Sequence, residues 1–72
     1  MAIKINAINT MNNEITQYPT ISACVHHCVE LSKRTGYTFQ LYNADTGKLE
    51  GNIRPNHRLY KGKYTARFIR HD

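Results

Sequence analysis

Hydrophobic and polar residues alternate from the start of the chain: in Ile3–Ile8 (IKINAI), Ile3, Ile5 and Ala7 fall on one side and Lys4, Asn6 and Ile8 on the other. A period of two predicts a strand. The stretch that follows, Asn9–Pro19 (NTMNNEITQYP), is polar and ends in a proline that biases Tyr18 away from helical geometry. It reads as a long connection, with room for a short strand around Glu14–Tyr18 paired with the first.

The period changes after Thr20. At about 100° per residue, Ile21, Cys24, Val25, Cys28 and Leu31 fall within roughly 120° of one another, while Ala23, His26 and Glu30 point away. Thr20 is placed to accept the free amides of a first turn, and Gly36 supplies a left-handed residue to end the last one. Lys33 and Arg34 lie where the helix dipole favours cations. These signals predict one amphipathic helix over about residues 20–35.

Alternation then returns. In Tyr37–Asn43, Tyr37, Phe39 and Leu41 oppose Thr38, Gln40 and Tyr42; Ala44–Gly47 (ADTG) carries turn chemistry, with Gly47 suited to a positive φ; and Lys48–Ile53 turns Leu49, Gly51 and Ile53 inward. This predicts a hairpin. Pro55, which cannot donate to a ladder, marks Arg54–His57 as a break before the chain resumes at Leu59. In Lys63–His71, Tyr64, Ala66 and Phe68 share one face and Lys63, Thr65, Arg67, Ile69 and His71 the other, so the basic side chains are expected mostly on one side of a final strand. The order β-α-β-β-β predicts a small α+β two-layer sandwich, with the helix packed on an antiparallel sheet.

Length narrows the functional choices. A chain of 72 residues is one domain, 1–72, which buries only about 60 % of the surface its unfolded form exposes. It has little room for a cofactor or a deep substrate cleft, so the chain is expected to be non-catalytic and to need no cofactor. Gly36, Gly47, Gly51 and Gly62 are isolated and precede no helix, which removes phosphate-cradling loops. The acids are scattered and offer no carboxylate pair. Met1–Thr10 lacks the apolar centre of a signal peptide and no run is apolar enough to span a membrane, so a cytoplasmic location is expected.

The segment Cys24-Val25-His26-His27-Cys28 invites a metal reading, since residues four apart on a helix share a face. Structural zinc sites, however, set such a pair on a turn whose backbone amides support the sulfurs and need a second pair of close-spaced ligands, whereas His57 and His71 stand alone in the sequence. Both cysteines coincide with the apolar stripe and read as reduced core thiols, with no metal expected.

Charge points to a partner. Lys4, Lys33, Arg34 and Lys48 balance Glu14, Glu30, Asp45 and Glu50, so the whole net charge of +5 sits in residues 54–72. There Arg54, Arg58, Lys61, Lys63, Arg67 and Arg70 are interleaved with Tyr60, Tyr64 and Phe68. Cations neutralise phosphates and exposed aromatics stack on unpaired bases, so Arg54, Arg58, Tyr60, Lys61, Lys63, Arg67 and Arg70 are expected to bind nucleic acid, single-stranded or irregular and without sequence preference. Tyr42 is a second candidate for stacking. The same cations also suit an acidic protein surface. Tyr42, Leu59 and Ile69 would then be interface residues of a small accessory or inhibitory protein of the phage or mobile-element type, acting on a partner protein or as a homodimer.

Overall fold

At Thr20 the chain leaves the sheet and crosses over it. In the computed structural model, which describes residues 3–60 and 63–71, with backbone alone for 57–60 and 63, Thr20 is extended and its Oγ1 accepts from the Ala23 amide at 3.1 Å. Helix α1 follows as Ile21–Thr35. Gly36, at φ 77°, ends it by donating its amide to the Ser32 carbonyl at 2.8 Å. Both ends agree with the predicted helix.

The strands are β1 (Ile5–Asn9), β2 (Ile15–Tyr18), β3 (Phe39–Asn43), β4 (Leu49–Tyr60) and β5 (Lys63–Arg70). They form one open antiparallel sheet in the order β2-β1-β3-β4-β5, and α1 packs on one of its faces. The fold is thus the expected α+β arrangement of one helix on an antiparallel sheet, with β2 as the short strand held within the polar connection. It pairs with β1 from Ile5↔Tyr18 to Ile8↔Ile15.

Alternation decides which side chains meet the helix. Ile5 and Ala7 of β1, Phe39 and Leu41 of β3 and Ile53 of β4 are buried against Cys24 and Cys28. Burying such apolar side chains contributes about 1.5–3 kcal/mol for each of the larger ones. Ser32 continues the Cys24–Cys28 line one turn on and is fully buried, with its hydroxyl donating to the Tyr37 carbonyl at 2.7 Å. That bond satisfies a polar group which burial would otherwise penalise.

Two departures from the predicted hairpin matter for the surface. First, β4 continues through Pro55, where the sequence suggested a break. The His71 amide donates to the Glu50 carbonyl, so inward bonds of the β4–β5 ladder fall at alternate residues and Pro55, opposite Ala66, occupies a position that donates nothing to β5. On its other side β3 has already ended at the Phe39↔Ile53 pair, so no ladder bond is lost there either. Second, the β3–β4 register shifts between Leu41 and Tyr42, leaving Glu50 as an extra residue and setting Leu49 opposite Tyr42. This bulge carries Leu49 to the face away from the helix instead of the inward position that strict alternation predicts. The turn itself matches expectation, with Gly47 at φ 75° and the Asn43 Oδ1 accepting from the Asp45 amide at 2.8 Å.

Candidate nucleic-acid interface

The face of the sheet that α1 leaves open is built by the alternate residues of each strand. Asn6 and Ile8 of β1 are followed across the sheet by Gln40 and Tyr42 of β3, Asn52 and Arg54 of β4, and Arg67 and Ile69 of β5. Glu50, whose carbonyl accepts from the His71 amide, stands one pair beyond Gly51↔Arg70 and so on this same face, four residues along β4 from Arg54.

Arg54 and Arg67 are directly opposite each other, and both are exposed. Directly opposed residues stand roughly 5 Å apart at Cβ, and like charges so placed are destabilising. The ion pair among the described residues is Lys33 with Glu30 on α1 at 3.6 Å, so neither arginine has a carboxylate partner there. Together with Thr65 and Ile69 they line a shallow depression of about 600 Å³. Pro55, Asn56 and Ala66 complete its lining, so the two arginines stand among apolar and neutral polar residues.

Tyr42 lies on the same face, half-buried, and its hydroxyl donates to the Gln40 Oε1 at 3.0 Å. Ile69 is 38 % exposed beside Asn52. Arg70 is separated from the other two arginines. It is opposite Gly51, which faces the helix, and it borders a groove beside α1. The expected one-sided wall of cations is therefore divided: Arg54 and Arg67 share the open face and Arg70 stands on the helix side. Lys61 lies outside the described residues, as do the side chains of Arg58, Leu59, Tyr60 and Lys63, although the backbone pairs Tyr60 with Lys63 near the end of the hairpin.

The cysteines take their places in the core. Cys24 and Cys28 are fully buried, and Cys28 Sγ is 3.9 Å from the hydroxyl of Tyr18. The hydrogen bond with Cys28, reinforced by burial, pushes the Cys24 thiol well above its ordinary range. Burial, with the neighbouring thiols, raises Tyr18 as well. Tyr18 also meets His27 Nδ1 at 2.5 Å, a contact that sequence reading missed because a short strand around Glu14–Tyr18, without its register, does not say that Tyr18 faces the helix. Among the described residues no group of three or more His, Cys, Asp and Glu side chains is placed to hold a metal ion, and no helix is long and apolar enough to cross a membrane.

Comparison with protein-family models, with curated proteins and with solved structures finds no match to this chain. The class is defined by architecture alone: a small α+β protein with, among the described residues, one helix on one face of a five-stranded antiparallel sheet.

Proposed function

We propose that the protein is a non-catalytic cytoplasmic binding module whose open sheet face takes single-stranded nucleic acid. The observation that carries this reading is the Arg54–Arg67 pair, two exposed cations held side by side with no ion-pair partner among the described residues. A phosphate between them relieves their repulsion and releases counterions, which supplies affinity without sequence preference. Tyr42 offers a ring for base stacking, and the amides of Gln40 and Asn52 offer hydrogen bonds to whatever bases lie between. An open sheet suits unpaired bases better than the major groove of duplex DNA, which usually receives a helix. The hairpin end adds Arg58, Lys61 and Lys63 to the cationic segment by sequence.

A docking role on another protein draws support from the apolar pairs Ile8–Ile15 and Tyr42–Leu49 on the same face, with Ile15 63 % exposed. Titration of the protein with labelled single-stranded and duplex oligonucleotides at about 50 and 200 mM salt separates the two. Nucleic-acid binding gives tighter single-strand affinity that drops steeply with salt, and Arg67→Ala weakens it and makes the salt slope shallower by about one. Flat titrations at the lower salt, or an unchanged slope in the variant, reject it in favour of protein docking.

A further inference from the structure

A second surface, distinct from the open face, lies where the last strand meets the helix. Strand β5 ends the sheet order, so along its outer side no strand is paired among the described residues. The His71 amide bonds inward to Glu50, and strand alternation therefore directs the amides and carbonyls of Ala66, Phe68 and Arg70 outward. These three residues also turn their side chains toward the helix layer, since they pair with Pro55, Ile53 and Gly51. Directly beside them runs a groove of about 570 Å³ with Phe68 on one wall and Ile21, Val25 and Val29 of α1 on the other. Phe68 and Arg70 thus present both outward backbone groups and a wall of the hydrophobic slot, and Ala66 continues the edge beyond it. This is the combination by which a sheet edge accepts an added strand: main-chain bonds give affinity, and alternate side chains of the incoming segment enter the slot.

Charge selects the occupant. At the groove, Glu30 is engaged by Lys33 at 3.6 Å, which leaves Arg70 as the unbalanced charge among the described residues. A second copy of the chain is a poor occupant. Antiparallel pairing of β5 with itself keeps each side chain on its own face only when centred on a residue, and centring on Ala66, Arg67 or Phe68 sets the two Arg67 side chains opposite or two residues apart. We infer that the β5 edge and the α1 groove bind an extended acidic segment of another protein by strand addition, with apolar side chains opposite Ala66 and Phe68 and a carboxylate opposite Arg70.

The inference is independent of nucleic-acid binding, because it uses the other face and the edge. It is tested with isotopically labelled full-length protein and an octapeptide whose central run is glutamate, threonine, valine, threonine, valine, alongside the same peptide with lysine for glutamate. The acidic peptide is expected to shift the amide resonances of Ala66, Phe68 and Arg70 and the methyl groups of Val25 and Val29, and to slow exchange of those three amides. The lysine peptide is expected to bind at least about tenfold more weakly, and Arg70→Glu to reverse that preference while the remaining resonances show the fold intact. The idea fails if the two peptides bind alike, if shifts are confined to the open face, or if the β5 amides do not respond. It also fails if those amides become protected by raising the protein concentration alone, because the edge then belongs to a second copy.

Discussion

Phe68 reaches inward from the edge strand over Gly51, and the glycine makes this possible. A Cβ on Gly51 would overlap both the Phe68 ring and the Ile69 carbonyl oxygen, one of them backbone that cannot swing aside. Gly51→Ala is therefore expected to destabilise the protein by about 1–3 kcal/mol, as overpacking does, with a lower urea midpoint as the readout. An unchanged midpoint would mean that β5 shifts freely, which a strand holding the groove wall does not do. At this scale the sequence was partly legible. Alternation placed Gly51 and Phe68 on the inner face, but no periodicity reveals that one residue lacks a side chain so that the other can lie over it. Ser32 was missed for a related reason: a serine on a helix face reads as solvent-facing until the Tyr37 carbonyl that accepts its hydroxyl is known.

Among the elements, α1 was the most legible, because cap chemistry and the 3.6-residue period agree at Thr20 and Gly36. Strand β2 was visible only as a suggestion. It is an edge strand, most of it exposed, so it carries no burial pattern for a reader to find. The side assignments failed where pairing, not pattern, decides them. The bulge at Glu50 moves Leu49 across the sheet, and the long β4 brings Arg54 opposite Arg67 through a proline that looked like a terminator. That last pairing has an energetic consequence at the level of the β4–β5 ladder. With no ligand present, Arg67→Glu replaces a cross-strand repulsion by an attraction and should raise stability by about 0.5 kcal/mol at low salt, with the gain shrinking as salt is added. Arg70→Glu, opposite Gly51, changes the net charge equally and should give less, so denaturant unfolding of both variants isolates the pair from the general effect of lowering a positive charge. Equal gains would remove the case for Arg54 and Arg67 as a site strained in the free protein.

For the molecule as a whole, the sheet divides the work of its two faces: the helix-covered side holds nearly all the buried apolar residues, and the other retains polar amides, arginines and a few apolar side chains in contact with solvent. The charge asymmetry read from the sequence survives as a concentration of cations on β4 and β5, at one end of the strand order, although Arg70 turns to the helix side. A domain this small is only marginally stable, so a ligand that binds the folded state alone should be visible as a large thermal shift. At a free concentration about 100 times the dissociation constant the expected stabilisation is about 2.7 kcal/mol, and for a domain of this size each kcal/mol moves the midpoint by roughly 4–8 °C. A single-stranded oligonucleotide should therefore raise the melting temperature by roughly 10 °C or more in low salt and by much less in high salt. The double variant Arg54→Ala with Arg67→Ala should lose most of that rise without losing the folded baseline, since both side chains are exposed and neither supports the core. If the oligonucleotide leaves the midpoint where it was, or if the double variant shifts as far as the parent chain, the open face is not where the polyanion sits.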